Sequence, residues 1–325
     1  MKTLALALST LVLISCGSSS PEEDTESSIT TPDNVQQNNE IVYQDVTTPT
    51  NKLGAWIFYI DETTLVHNNH QDMANYLASV GIKRVFIKIS DINYNWGSNK
   101  IAFNEDSVDC GEWQDACEPD NLAHYKQNGI EVWAWTYNDI GLYEDQADML
   151  EAAVRVGYQG YVLDIETEFD GNSTELNNLL VAHSNRLASL TEILPEDFTF
   201  AATTWGNPKD HSMDIGLIDD YVDVHMPQTY IEKWGGSYLT DIAAGIRKGD
   251  CEYRDLGAEK PIWHIVSHED KILSGDDLDT FIKYAGPNTS IWRIATSSLM
   301  TEIEAVDDAT TTFKSQDCTL NNFDL

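Results

Sequence analysis

From residue 53 onward, eight short runs of β-branched and aromatic residues alternate with longer stretches whose apolar residues recur at helical spacing. Residues 53–60, 84–89, 130–136, 160–165, 198–203, 222–226, 261–266 and 290–295 read as strands, and 71–80, 144–156, 173–193, 237–247 and 276–284 as amphipathic helices. A strand that must reach a parallel neighbour needs a crossover of about a dozen residues, and the intervening stretches supply it. Eight such units suffice to close a sheet on itself, so the expected fold is α/β, a single-domain (β/α)8 TIM barrel. An open doubly wound sheet is the competing arrangement. It usually carries a glycine-rich phosphate loop after its first strand, and none follows here.

In such a barrel the chemistry belongs at the C-terminal ends of the strands. Those ends carry Asp61 after the first run, Lys88 and Asp91 on the second, Trp135 and Asp139 on the third, and Asp164 and Glu166 on the fourth. Trp205 follows the fifth, Gln228 and Tyr230 the sixth, His264 and His268 the seventh, and Trp292 marks the eighth. Carboxylates, amides and aromatic rings gathered at one end of a sheet make a polar pocket with stacking platforms.

Side chains alternate along a strand, so Tyr161, Leu163 and Ile165 form an apolar face suited to the surrounding helices. Gly160, Val162, Asp164 and Glu166 then face the barrel interior, with Glu166 at the lip roughly 7 Å beyond Asp164. A buried carboxyl beside another carboxylate resists ionisation, which suits Glu166 to a general acid. The alternative is a structural ion pair with Lys88 or Arg293.

Asp164-Ile165-Glu166 after Gly160 resembles the fourth-strand signature of the family 18 chitinases and the Asp-x-Glu of the family 25 muramidases, both barrel glycoside hydrolases. Met226-Pro227-Gln228-Thr229-Tyr230 is similar to a stretched form of the chitinase Met-x-Tyr strand end, and Trp292 stands where those enzymes often floor the sugar site. The resemblance implies a carbohydrate substrate, Glu166 as general acid, Asp164 as its partner or as an acetamide orienter, and Tyr230 as a hydrogen-bond donor to substrate. Gln159 and Val162 stand where the chitinase pattern has two earlier Asp residues, and no Asp follows Tyr230. After Asp61 the Ser- and Gly-containing residues of the muramidases are absent. What is implied is a divergent member of the superfamily, with a non-catalytic glycan-binding protein on the same scaffold as the alternative.

Sugar rings present apolar C–H faces, so indoles and polar groups at the strand ends complete the expected substrate set: Asp61, Lys88, Trp135, Asp139, Trp205, Gln228, Trp234 and Trp292. Trp96, in the loop after the second strand, joins Trp234 as a loop platform. His264 and His268 lie in a strand-to-loop context rather than on a helix, and residues 170–175 have the wrong ligand spacing for an EF-hand. Ser173 reads instead as the N-cap of the fourth helix. No nucleophile elbow or phosphate loop is present, and neither a cofactor nor a metal is expected.

At the start of the chain, Lys2 precedes a short apolar run that ends in Leu13-Ile14-Ser15-Cys16. The run is too short to span a hydrocarbon core of ~30 Å. Its end resembles the bacterial lipobox, which implies cleavage before Cys16 and acylation of that cysteine. The expected organisation is a signal peptide over 1–15, a flexible Ser, Thr, Asn and acid-rich linker over 16–48, and the barrel over 49–325. Lipid on Cys16 would be the only membrane attachment and would place the protein in the bacterial cell envelope. Gly17 after the cysteine, rather than Asp, resembles an outer-membrane address.

A net charge of -35, from 54 acidic against 19 basic residues, repels phosphate backbones and anionic lipid surfaces, so nucleic acid is excluded as a partner and a monomer is expected. Cys110, Cys117, Cys251 and Cys318 remain as an even set for an oxidising compartment. The expected disulfides join Cys110 to Cys117 within one loop and Cys251 to Cys318. A metal site is disfavoured by the lack of a close Cys pair or a Cys/His array.

Overall fold

The computed structural model describes residues 41–58, 69–91, 101–104, 107–269, 273–294, 312–319 and 322. Cys16, Asp61 and Trp96, and with them the signal-peptide and lipobox readings, lie outside the described residues. Eight parallel strands form a closed barrel: β1 Gly54–Ile57, β2 Arg84–Asp91, β3 Glu131–Tyr137, β4 Gly160–Asp164, β5 Thr199–Trp205, β6 Val224–Gln228, β7 Ile265–Ser267 and β8 Ser290–Trp292. Each strand pairs with its successor in the chain, and Ser290 opposite Gly54 closes the ring. That closure makes the fold the expected (β/α)8 barrel and rules out an open doubly wound sheet. Helices His70–Ser79, Tyr143–Val156, Ser173–Ser189, Ile242–Asp255 and Gly275–Ala285 are the longer crossovers.

Strand alternation separates two cores. Ala55, Ile57, Val85, Ile87, Val132, Tyr161 and Leu163 face outward against the helices. Trp56, Phe86, Trp133, Trp135, Val162, Met226 and Trp263 fill the barrel itself. Each fully buried aromatic stabilises the fold by roughly 1.5 to 3 kcal/mol relative to exposure. So much ring volume inside eight strands leaves neighbouring inward positions without room for a side chain. A Cβ at Gly160 would lie 2.4 Å from the Trp133 ring, and one at Gly54 2.8 Å from Phe86. The aromatic fill and the inward glycines are one packing solution.

Several boundaries differ from the sequence pattern. β5 and β6 run two residues further toward their C-terminal ends, and β6 continues through Pro227, whose carbonyl accepts from Thr229 N at 2.9 Å. The helix expected over 237–247 is broken into Gly236–Thr240 and Ile242–Asp255, because Asp241 turns to cap the second piece by accepting from Ala244 N. The cap of Ser173–Ser189 is Asn172, which accepts from Glu175 N, while the Ser173 hydroxyl donates to Asp214. The folded body also takes in Gln44–Thr47, assigned above to the end of the linker, which pairs antiparallel with Thr312–Ser315. Both expected disulfides are formed, Cys110 to Cys117 and Cys251 to Cys318. Among the described residues no helix is long and apolar enough to cross a membrane.

Candidate active site

A cavity of about 460 Å³ opens at the C-terminal ends of the strands. β4 brings Asp164 to its edge, and Glu166 and Glu168 follow as the strand gives way to a short 3₁₀ turn, Thr167–Phe169. Asp164 is only 6% exposed. From two strands away Gln228 bridges two of these acids: its Nε2 donates to Asp164 Oδ1 at 3.1 Å and to Glu166 Oε1 at 2.7 Å. The extension of β6 through Pro227 is what carries Gln228 to that position. On the opposite side, Tyr137 at the end of β3 donates its hydroxyl to Glu168 Oε2 at 2.8 Å.

Burial raises Glu166 above its ordinary value; the negative charges of Glu168 and Asp170 add to that, and the Gln228 hydrogen bond and the Lys233 charge oppose it without cancelling it. A carboxyl so placed tends to hold its proton. Burial, followed by the charges of Asp164 and Glu166, pushes the Tyr230 hydroxyl well above its ordinary value, so it stays a neutral donor beside the two acids. Arg293 pairs with Glu269 at 3.1 Å. Lys88 Nζ lies over the Phe58 ring at 4.2 Å and the Trp135 ring at 5.0 Å.

The other wall is aromatic. Trp56, Trp135 and Trp292 meet edge to face with centroids 5.5 to 6.0 Å apart. Trp56 Nε1 donates to Ser290 Oγ and Trp135 Nε1 to the Ile57 carbonyl, which fixes both rings. Trp292 keeps part of its surface open to the cavity. An apolar wall facing a cluster of hydrogen-bonding groups suits a ring with one apolar face and many hydroxyls.

Of the residues singled out from sequence, Asp164, Glu166, Gln228, Tyr230, Lys88, Trp135 and Trp292 line this one cavity. Other residues singled out from sequence do not. Asp139 organises its own loop, accepting from Ile140 N and giving its backbone N–H to Gln146. Trp205 donates to Asp170, stacks on His211 at 4.0 Å and packs against the outer core rather than lining the cavity. Trp234 packs on Tyr238 and beneath Lys248. His264 is a core residue between Thr229 and Asp250. Tyr137, Glu168, Trp56, Phe58, Thr203 and Ile265 also line the cavity, and none of them was assigned a role from sequence. Trp56 and Thr203 were within reach of strand parity; Glu168 was not, because the turn at Thr167 ends the alternation.

No protein-family model and no curated protein matches the chain. Solved structures do. The chain is similar to a GH18 chitinase from Pseudoalteromonas aurantia, with a TM-score of 0.53 at 10% identity over 78% of this chain and 98% of that one. It is similar also to the endo-1,4-beta-mannanase from Rhizomucor miehei, with a TM-score of 0.52 at 12% identity over 81% of this chain and 95% of that one. At such identities the likeness is one of fold.

Proposed function

We propose that this chain is an exported, lipid-anchored glycoside hydrolase that cleaves an oligo- or polysaccharide. The observation that carries the reading is the Gln228 amide shared between Asp164 and Glu166 in an aromatic-walled cavity at the catalytic end of the barrel. Glu166, whose hold on its proton is strengthened by burial, gives that proton to the leaving glycosidic oxygen. Asp164 is the second carboxylate or orients the substrate, Tyr230 donates a hydrogen bond to it, and Trp135 and Trp292 stack against the sugar. Two barrels similar in fold, a chitinase and a mannanase, act on different glycans, and this agrees with glycan cleavage without naming the sugar. The anchor is lipid on Cys16, in the bacterial cell envelope and by its Gly17 at the outer membrane. Cys16→Ser is expected to release the protein or leave it unprocessed; a processed variant still held by the membrane would refute the anchor.

The test of activity is release of reducing ends from a panel of chitin, peptidoglycan, mannan and marine polysaccharides, with Glu166→Gln as the inactive control. One pair of observations favours a second reading, glycan binding without turnover. Gln159 accepts from Val132 N, and Val162 lies in the aromatic fill, so the two positions that carry acids in the chitinase pattern are structural here. Saturable glycan binding with no product from any substrate would select that reading.

A further inference from the structure

Glu168 is a third carboxylate in the cavity, and the roles above leave it unused. Having left the alternation of β4, it is aimed by its own hydrogen bond from Tyr137, whereas Glu166 is aimed by Gln228. Tyr137 ends β3 and Gln228 ends β6, three strands apart around the ring. The two glutamates therefore leave the same strand end and are drawn toward different walls. Their surroundings differ too. Burial favours the protonated form of Glu166, while Glu168 faces a phenol whose own ionisation is suppressed by burial and by the Glu168 charge. Tyr137 thus stays a donor, and it holds Glu168 as its acceptor at 2.8 Å. Two carboxyls held on separate walls, one by an amide and one by a phenol, are the parts of a single-displacement hydrolysis.

Building on the glycosidase reading, we infer that Glu168 is the general base of this site, taking a proton from the attacking water while Glu166 protonates the leaving oxygen. The water oxygen bonds to the anomeric carbon as the glycosidic C–O bond breaks. That bonding pair goes to the leaving oxygen, which takes the Glu166 proton. Glu168 keeps the proton from water, and exchange with solvent restores both groups. The reaction inverts the anomeric carbon. It makes no use of the substituent at the sugar's 2-position, so glycans with a 2-hydroxyl are substrates as well as those with a 2-acetamido group.

The experiment uses the full chain and a glycan that it cleaves and that Glu166→Gln slows. NMR of the first-formed product should show the opposite anomer to the substrate. Glu168→Gln should lower kcat by roughly 10²–10⁴-fold with KM little changed. An aryl glycoside with a dinitrophenyl leaving group should restore turnover to Glu166→Gln, since that group departs without a proton, and should not restore it to Glu168→Gln. An unchanged melting temperature separates loss of the base from loss of the fold, and Tyr137→Phe, which keeps every carboxylate, should cost kcat several-fold. Retention of configuration, or a Glu168→Gln variant within a few-fold of the parent, overturns the inference while leaving the glycosidase reading in place. A parent that cleaves no glycan overturns both.

Discussion

At the N-terminal end of the barrel, Arg84 lies between Trp133 and Trp263, 4.6 Å from each ring, and its Nη2 meets Glu131 at 2.8 Å. Lys52 reaches the same carboxylate at 3.0 Å. At the other end Glu166 lines an aromatic-walled cavity, and the amide of Gln228 donates to it at 2.7 Å. Burial pushes both carboxyls up. At Glu131 the charges and hydrogen bonds of Arg84 and Lys52 outweigh it and hold the group below its ordinary value; at Glu166 burial prevails. One end thus carries a fixed anion that locks two strand starts together, and the other a carboxyl held above its ordinary value. What separates scaffold from chemistry here is which partner the acid was given.

The sharpest way to break the comparison is to remove each acid's charge in turn. Glu166→Gln should lower turnover by roughly 10²–10⁴-fold and leave the melting temperature level or higher, because a group whose ionisation is disfavoured in the fold contributes no stability as an anion. Kinetics and calorimetry on the same sample decide it; a destabilised Glu166→Gln would mean that this acid, too, is structural.

Glu131→Gln is the mirror experiment. It leaves the Arg84 charge buried without its carboxylate, at a cost of about 2 to 3 kcal/mol, less than for a fully buried pair because Glu131 is 30% exposed. The melting temperature should fall by roughly 5 to 10 °C with activity per folded molecule unchanged. Since Glu131 is lowered in the fold, its stabilising effect is complete above the ordinary value of 4.5 and fades as pH falls through the lowered one. Unfolding curves of parent and variant should therefore converge in acid, and curves that stay parallel there would detach the stability from this ion pair.

A smaller effect sharpens the open end. Trp292→Ala should raise KM several-fold, the equivalent of about 0.5 to 1.5 kcal/mol, with kcat kept if the ring only holds substrate. The smallest concerns Asp170, outside the cavity, whose charge helps to raise Glu166. Asp170→Asn preserves its shape beside Trp205 and His211 while removing that charge, so Glu166 should ionise more readily and the alkaline limb of the rate should move to lower pH. A limb that stays in place would leave burial and the Glu168 charge responsible.

The barrel was legible because a period of two and a helical period alternate eight times, and the pairing of Asp164 with Glu166 on the inner face followed from parity within one strand. Parity lost its hold where strands end. Trp205 is opposite Gln228 in register, yet its indole swings out to Asp170. Glu168 is turned inward by a 3₁₀ turn and a tyrosine from the neighbouring strand. Gln228 was expected at the site from its place after the sixth run, but its bridge between two acids was not, since Pro227 reads as the end of a strand that in fact continues. The Arg84 and Glu131 pair went unread because its partners open two different strands, and only the register between those strands sets them side by side.

Nine tryptophans would ordinarily make the emission of a protein hard to assign. Here the barrel sorts them. Trp56, Trp135 and Trp292 stand within 6.0 Å of one another at the open end, close enough for excitation to pass among all three and for their transitions to couple. A ligand that settles against one ring disturbs the whole set. The cluster is thereby a built-in optical gauge, able to report occupancy through fluorescence or near-ultraviolet dichroism before any bond is broken.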